Sequence, residues 1–408
     1  MDTTLALALQ TQRFEKKREA ILDAAARVFN QKGVKGATLA DVARNVALIT
    51  NSLTYYYRRK EDLASAAFLR TIDVLNGLTE RAQAAHDPRD RVALLFRTYA
   101  DLLAEIARGT HPELMYFNDI RALRSPHVEA VFDAYTGMFR RMRELLPPRA
   151  RAAADRAALN ARAHVVVTVI HSMRHWIARY EVEDYARVAE RVVDILLDGL
   201  GTGAARFEPR AIARISGAEP REAAAEAFLR SATCLINEQG YRGASVEKIS
   251  ARLNVTKGSF YHHHDNKDDL VANCFARSFD VVRDAQNGAF ALTADGWTRL
   301  TSVAAELVRY QVSDQGPLLR NTALSALPED MRRGLVATMD KLSLRYAHFI
   351  VDGIADGSLR AVDQGVAAHV ISGVIDAASE LTRWVASADP DNAAALFVRP
   401  LFRGLFAD

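Results

Sequence analysis

The 408-residue chain has only two cysteines, Cys234 and Cys274. Two cysteines cannot build the disulfide framework of a small secreted domain, and their scarcity suits a reducing compartment. The longest aliphatic stretch, residues 165–170, is interrupted by Thr168, whereas a membrane-spanning helix needs about 20 apolar residues. No basic segment precedes the apolar patch near the amino terminus, as a secretory signal would require. We therefore expect a cytoplasmic protein with no membrane partner.

Catalytic motifs are also missing from the sequence. It contains no phosphate-binding loop, nucleophile elbow, zinc-protease helix motif or paired cysteine ligands, and each of these marks a class of enzyme or metal site. The run of residues 262–264 consists of three histidines. Consecutive helical residues point about 100° apart, so these rings cannot converge on one ion. We predict a protein that is not an enzyme and that needs neither a cofactor nor a metal.

The chain does contain a long internal repeat. Residues 33–63 and 240–270 align without a gap at an offset of 207 positions. A period of this length is too large for a solenoid unit and indicates a duplicated domain, and 408 residues have room for two to four domains. The positions identical in both copies are Gly33 and Gly240, Gly36 and Gly243, Ala37 and Ala244, Ser52 and Ser259, Lys60 and Lys267, Asp62 and Asp269, and Leu63 and Leu270.

Helical periodicity dominates both copies. Apolar residues fall on one helical face in residues 21–29, and the same stripe returns in residues 228–236. Each stripe is followed by a glycine, Gly33 or Gly240, which suits a helix C-cap. The pattern predicts one long helix at the start of each copy.

Two short helices follow in each copy. Thr38 and Ser245 can cap the first of them, and Thr256 can cap the next one in the second copy. In the first copy Ile49 holds that position, although Thr50 can cap one residue later. A helix, a tight turn and a second short helix form a helix-turn-helix.

These residues resemble the amino-terminal signature of the TetR family of transcriptional regulators. The segment SVEKISARLNVTKGSFYHHHDNKDDL, residues 245–270, matches it nearly position for position. The first copy departs from the signature at Ile49, at Asn51 in place of a glycine, and at Thr54 in place of a tyrosine. The resemblance covers about 50 residues in each half of the chain.

The resemblance implies an all-α fold of two tandem units that form an intramolecular pseudodimer. Each unit would have a three-helix helix-turn-helix domain and a carboxy-terminal helical domain for ligand binding and dimerisation. A stretch rich in glycine and proline marks the linker. The predicted divisions are 14–62 and 63–200 for the first unit, 201–220 for the linker, and 221–269 and 270–408 for the second unit.

The resemblance also implies a set of DNA contacts. A short helix with small and polar residues in its first turn can enter a major groove, while hydroxyls and lysines hold phosphates. The alternative is that the tyrosines of the first copy form core and that the lysines are solvated. The residues implied are Thr38, Thr50, Ser52, Thr54, Tyr55, Tyr56 and Lys60 in the first copy, and Ser245, Thr256, Lys257, Ser259, Tyr261, His262, His263 and Lys267 in the second.

The charge of the two copies differs. Residues 1–70 have 12 basic and 7 acidic side chains, a net charge of +5, whereas residues 219–280 have 8 and 9, a net charge of −1. The first copy is therefore the stronger electrostatic candidate for a polyanion such as DNA.

The helices between each copy and the end of its half are where a ligand pocket is expected, because cavities between bundled helices commonly bind small molecules. Arg121 and Arg124 favour an apolar effector with an acidic group. His164, His171 and His175 share one helical face, where they could bind a metal, hold a polar effector or pack. Plain core is the alternative for the pocket residues. The candidates are Tyr99, Leu103, Met115, Tyr116, Phe117, Arg121, Phe132, Tyr135, His171 and His175.

Together these features predict a ligand-responsive DNA-binding regulator, a repressor if it follows the family. One chain would read two non-identical half-sites of a double-stranded operator and be released by a small-molecule effector. It would act as a monomeric pseudodimer, with further dimerisation left open. The rival interpretation is a ligand-sensing or interaction protein in which DNA binding is weakened or lost.

Overall fold

The computed structural model describes residues 3–47, 49–147, 153–203, 205–212, 220–241, 243–252 and 266–407. Over these ranges the chain is built of helices, and paired extended backbone is limited to one isolated bridge between Gly201 and Leu359. The predicted all-α class is confirmed. No helix within these ranges is long and apolar enough to cross a membrane.

The two halves contain matching series of helices. The first half has α1 (Thr3–Gly36), α2 (Leu39–Asn45), α3 (Thr50–Thr54), α4 (Lys60–Gln83), α5 (Pro88–Ala107), α6 (His127–Arg143), α7 (Ala153–Trp176) and α8 (Tyr185–Asp198). The second half has α9 (Pro220–Gln239), α10 (Val246–Arg252), α11 (Lys267–Phe290), α12 (Gly296–Val312), α13 (Glu329–Asp356), α14 (Gln364–Ala377), α15 (Leu381–Trp384) and α16 (Arg399–Arg403). Shorter 3-10 helices span Phe117–Ala122, Ile177–Arg179, Val182–Asp184, Asn321–Ala326 and Ala378–Glu380, and a π-helical turn spans Ala394–Val398.

The first long helix of each half ends where the glycine pattern predicts. Gly33 interrupts α1 with a φ of 68°, and Gly240 directly follows α9 with a φ of 72°. Residues with a Cβ rarely adopt this left-handed backbone. The chain can therefore turn sharply at these two points and bring α2 and α10 across the preceding helix.

The caps of the short helices are local. Thr38 forms a capping box with Asp41 at the start of α2, and the Ser245 hydroxyl accepts a hydrogen bond from the Lys248 N–H at 3.3 Å at the start of α10. The prediction that Thr50 caps α3 is wrong, because Thr50 is its first helical residue and Ile49 is the cap, without a side-chain hydrogen bond. Thr256 lies outside the described residues.

The carboxy-terminal helices of the two halves pack against each other. Helix α7 lies along α14, and α8 contacts both α14 and α16. The backbone contacts are reciprocal, because Leu200 N–H donates to Phe402 O and Leu405 N–H donates to Leu196 O, both at 2.8 Å. The two halves are thereby joined into one four-helix arrangement within a single chain.

The apolar core is continuous through most of the molecule. The buried residues of α1 to α8 form one cluster with those of α12, α14 and α16. A separate cluster lies around the second helix-turn-helix and includes Ala232, Ile249, Phe275 and Leu319. The first DNA-binding domain therefore shares the main core, while the second has a small core of its own.

The predicted linker is packed where it is described. Arg206 O accepts a hydrogen bond from the Trp297 indole at 2.7 Å, and the Arg210 N–H donates to the Ser302 hydroxyl at 2.8 Å. Ile212 is buried. These contacts fix residues 205–212 on the second half of the chain.

Candidate DNA interface and effector cavity

Helix α3 presents an unusual surface for so short a helix. Leu53 is fully buried and fixes the helix on the domain, whereas Ile49 is 71% exposed and Tyr55 is 79% exposed. Thr50 is exposed, and Ser52 and Thr54 are half-buried. Large apolar and aromatic side chains rarely project this far into water without a partner. This end of the first domain therefore has the character of a binding surface.

An aromatic cluster extends that surface. The Phe14 ring stacks on Tyr56 at a centroid distance of 4.8 Å and meets Tyr55 edge-on at 6.3 Å. Tyr57 is buried in the core, and its hydroxyl accepts a hydrogen bond from Arg18 Nε at 3.3 Å. Tyr56 is half-buried and packs against the core. The alternative that the tyrosines form core therefore holds for Tyr57, in part for Tyr56, and not for Tyr55.

The two equivalent lysines at the start of α4 and α11 make similar contacts. Lys60 Nζ donates to Lys35 O at 3.2 Å. Lys267 Nζ donates to Tyr241 O and lies 4.2 Å from the centre of the Tyr241 ring. Both lysines thus tie the helix that leads out of the domain to the turn after its first helix.

The predicted contacts of the second domain fall partly outside the described residues. Ser245 is the cap of α10, as described above. Thr256, Lys257, Ser259, Tyr261, His262 and His263 lie outside the described residues.

A cavity of about 500 Å³ lies between the two halves. Its walls come from α7 and α14, from the 3-10 helix Asn321–Ala326 and from the ends of α1 and α9. The apolar part of the lining includes Phe29, Met115, Tyr116, Tyr135, Trp176, Ile236, Leu324 and Met339. The sequence predicted a pocket within each half, with candidate residues in the first, whereas the void in the structure is shared by the two halves.

Half of the predicted pocket residues line this cavity. They are Met115, Tyr116, Tyr135, His171 and His175. The other five, Tyr99, Leu103, Phe117, Arg121 and Phe132, are not part of its lining. Tyr99 and Leu103 are core residues of α5, and Phe117 packs between Tyr135 and His171. Periodicity identifies inward-facing residues, but it does not reveal where packing leaves a void.

Arg121 and Phe132 are engaged elsewhere. Arg121 donates to Asn237 O at 3.0 Å and forms an ion pair with Glu380 at 3.6 Å. The Arg383 guanidinium lies 4.6 Å from the centre of the Phe132 ring. Arg121 therefore connects the first half to the second, and its predicted role as a ligand for an acidic effector stays a prediction.

The histidines of α7 face the cavity together, as their spacing predicts. His369 joins them from α14 and stacks on Trp176 at 5.1 Å. Burial lowers the pKa of His164 to about 4 and that of His171 to about 3, so both rings are neutral at pH 7. His164 Nε2 lies 3.2 Å from Ala377 O. Among the described residues, no group of three His, Cys, Asp or Glu side chains is arranged to hold a metal.

Three carboxyl groups of the second half line the cavity, Asp340, Asp376 and Glu380, and the sequence had not singled them out. Glu380 accepts ion pairs from Arg320 at 2.7 Å and from Arg121, and these cations hold its pKa below the ordinary value despite burial. Burial raises the pKa of Asp376 to about 6, against the nearby Arg320 charge and a hydrogen bond from the Asn321 backbone. Glu380 is thus compensated by arginines, whereas Asp376 has no ion pair in the described part of the chain.

The fold and these surfaces define a helical protein with two helix-turn-helix domains and a shared cavity. The sequence profile of the bacterial regulatory proteins of the tetR family matches residues 21–67 and 228–274. The transcriptional regulator AcuR of Cereibacter sphaeroides is 30% identical over 158 residues, which cover 36% of this chain and 70% of AcuR. The chain belongs to the TetR family and is a helix-turn-helix transcription regulator.

The chain is also similar to a second curated protein and to a solved structure. The transposon Tn10 TetC protein of Escherichia coli is 28% identical over 153 residues, which cover 36% of this chain and 74% of TetC. A solved TetR-family regulator from Bordetella parapertussis is 21% identical and aligns with 45% of this chain and 94% of its own, with a TM-score of 0.39.

Proposed function

We propose that one chain binds one double-stranded operator as a covalent pseudodimer, represses transcription there and is released by a small-molecule effector. The observation that carries the proposal is the packing of α7 and α8 against α14 and α16. It supplies within one chain the interface that a homodimer would form between two subunits. The proposal keeps the predicted domain boundaries. The first DNA-binding domain ends at residue 62, the first helical domain at 200, the linker at 220 and the second DNA-binding domain at 269.

The two DNA-binding domains support unequal half-sites. A symmetric dimer binds a palindrome whose half-sites lie about one helical turn, roughly 34–36 Å, apart. Here the recognition segments LITNSLTYYY and VTKGSFYHHH differ at most positions. Each segment is therefore expected to bind its own sequence, and the operator is expected to be an imperfect palindrome.

The cavity supports the effector part of the proposal. Its lining includes Gly33 and Lys35 from the first DNA-binding domain and Gly240 and Gly243 from the second. A bound molecule would therefore contact the end of the first helix in both domains. A ligand shifts the DNA-binding state only to the extent that it binds the two states with different affinity.

Stoichiometry and footprinting test the DNA part. We expect fluorescence anisotropy titrations to saturate at one chain per operator, and footprinting to protect an imperfect palindrome. A protected site that requires two chains would contradict the pseudodimer. Each DNA-binding domain is expected to contact its own half-site. Tyr55→Ala should therefore weaken binding at one half-site, and Lys257→Ala should weaken binding at the other.

The size of these effects is also predicted. Each lost base contact should weaken binding by about 1–3 kcal/mol. Arg191→Met, which removes an exposed charge from α8, serves as the control and should leave operator binding unchanged. Equal affinity of all three variants would show that the assigned surfaces do not bind DNA.

A second function is favoured by the charge of the second domain. Residues 219–280 have a net charge of −1, and DNA affinity depends strongly on neutralising phosphates. A ligand sensor without DNA binding would show no mobility shift with genomic fragments even at low salt. A shift that weakens steeply as salt rises would instead support the regulator.

A further inference from the structure

The cavity is lined by residues of both halves of the chain. Its floor is the crossing of α7 and α14, where a Cβ added to Gly373 would lie 2.8 Å from the Ser172 side chain. The first half contributes Tyr116 and His171 to the walls, and the second contributes Leu324 and Asp376. Neither half alone encloses the space.

Three of the four cations that line this space form ion pairs with carboxylates. Lys32 forms an ion pair with Asp41 at 2.8 Å. Arg179 pairs with Asp340, and Arg332 pairs with Glu329. For the fourth, Lys35, burial lowers the pKa, and the nearby Asp119 charge only partly offsets this effect. An incoming anion would have to compete with these carboxylates.

Asp376 lines the same cavity but has no paired cation within the described part of the chain. Arg320 and Arg121 both pair with Glu380, and Asp376 accepts a backbone hydrogen bond from Asn321. No lysine, arginine or histidine in the described ranges forms an ion pair with its carboxylate. Asp376 is partly buried, and partial burial of a carboxylate without a paired cation is unfavourable. A ligand with a positive charge would relieve that cost.

The remaining walls favour an apolar body. Phe29, Trp176, Ile236 and Leu324 surround the space, and a volume of about 500 Å³ is typical of small-molecule sites. We infer that the cavity between the two halves binds an apolar organic amine whose ammonium group pairs with Asp376. The role of that amine as the effector rests on the proposed function, whereas its binding does not.

Three ligands with the same carbon skeleton test whether the cavity prefers a positively charged ligand. They are 4-phenylbutylamine, 4-phenylbutanol and 4-phenylbutanoate, titrated into the full chain by isothermal calorimetry without DNA. We expect the amine to bind at least about tenfold more tightly than the alcohol, and the carboxylate to bind more weakly than both. Equal or tighter binding of the carboxylate, or no binding of the amine at millimolar concentration, would overturn the inference.

The Asp376→Asn variant tests whether the ammonium group of the ligand pairs with Asp376. This substitution keeps the shape of the side chain and should abolish the preference for the amine over the alcohol. Asp101→Asn removes an exposed carboxylate from α5 and should leave the preference intact. An amine preference that survives in Asp376→Asn would assign the ammonium to another group and contradict the inference.

A photoreactive amine tests whether the site is shared. After irradiation of the wild-type chain with 4-(4-azidophenyl)butylamine, mass spectrometry should find modified peptides from residues 164–176 and from residues 369–380. Labelling confined to one half would contradict a composite site.

Operator release by the amine is measured separately by anisotropy. Amine binding to a chain that does not bind DNA would leave this inference standing and refute the proposed function. DNA binding without amine binding would refute this inference and leave the proposed function standing.

Discussion

Asn30 and Asn237 make the same two hydrogen bonds in the two halves of the chain. The Asn30 side-chain amide donates to Leu114 O at 2.8 Å, and its oxygen accepts from Tyr116 N–H at 2.9 Å. Asn237 donates to Leu318 O at 2.9 Å and accepts from Arg320 N–H at 3.1 Å. Each asparagine thus fastens the first helix of a DNA-binding domain to the segment beside the cavity.

Asn30→Leu and Asn237→Leu are expected to destabilise the protein. Each substitution keeps the approximate side-chain volume but leaves one backbone carbonyl and one N–H without these partners, which should cost about 1–3 kcal/mol. Urea unfolding measures the loss. Gln83→Leu, at the exposed end of α4, is the control. Losses no larger than that of the control would show that these bonds do not anchor the domains.

Arg360 joins the halves more strongly than an exposed ion pair would. Its guanidinium bonds both Asp194 carboxylate oxygens at 3.0 Å, Asp194 O at 2.8 Å and Gly199 O at 2.7 Å. Arg360→Met should therefore cost about 1–3 kcal/mol. The comparison is Arg97→Met, which breaks a half-exposed pair with Glu190 within the first half and should cost less than about 1 kcal/mol.

Arg360→Lys tests whether charge alone accounts for the stabilisation that Arg360→Met removes. Lysine retains the charge but cannot form the forked contacts of a guanidinium. We expect it to behave like Arg360→Met in urea unfolding. Full rescue by lysine would show that charge alone holds this contact.

The buried histidines predict a loss of stability in acid. The pKa of His164 falls from 6.5 to about 4 on folding, so the unfolded chain binds more protons between these values. Its contribution is complete above pH 6.5 and is lost as the pH falls towards 4, with a magnitude of about 3 kcal/mol at 1.36 kcal/mol per pKa unit. His164→Gln should flatten the dependence of the unfolding free energy on pH in this window. An unchanged slope would refute the assignment.

Asp376 is expected to change the unfolding free energy with pH in the opposite direction to His164. Its pKa rises from 3.8 to about 6 on folding, so the folded state binds the extra proton and gains stability as the pH falls through 6. Asp376→Asn removes this gain and should make the acid loss steeper than in the wild type. Urea titrations between pH 4 and 7 compare the two slopes, and a shallower slope in the variant would contradict the sign.

The separate core of the second DNA-binding domain predicts unequal local stability. Its apolar cluster is small and is not continuous with the main core, so opening it exposes little of the remaining core. Hydrogen exchange should be faster in α9 and α10 than in the matching residues of α1 and α2. Equal protection in the two domains would show that both unfold only with the whole molecule.

The sequence by itself determined the elements and their duplication. The repeat at an offset of 207, the apolar stripes and the glycines at 33 and 240 depend on local backbone preferences and on helical spacing, and these can be read along the chain. The same pattern placed His164, His171 and His175 on one face of α7. Those features are local, so they required no knowledge of what packs against them.

The tertiary structure alone decided where the halves meet and what lies between them. The cavity and the contact of Arg121 with Glu380 each join residues far apart in sequence. No periodicity records such a pairing, because a void is what remains after two independently patterned surfaces pack. Tyr57 and Tyr55 differ by two positions, yet one is core and the other is 79% exposed, because the packing of α3 on its domain sets which ring faces inward.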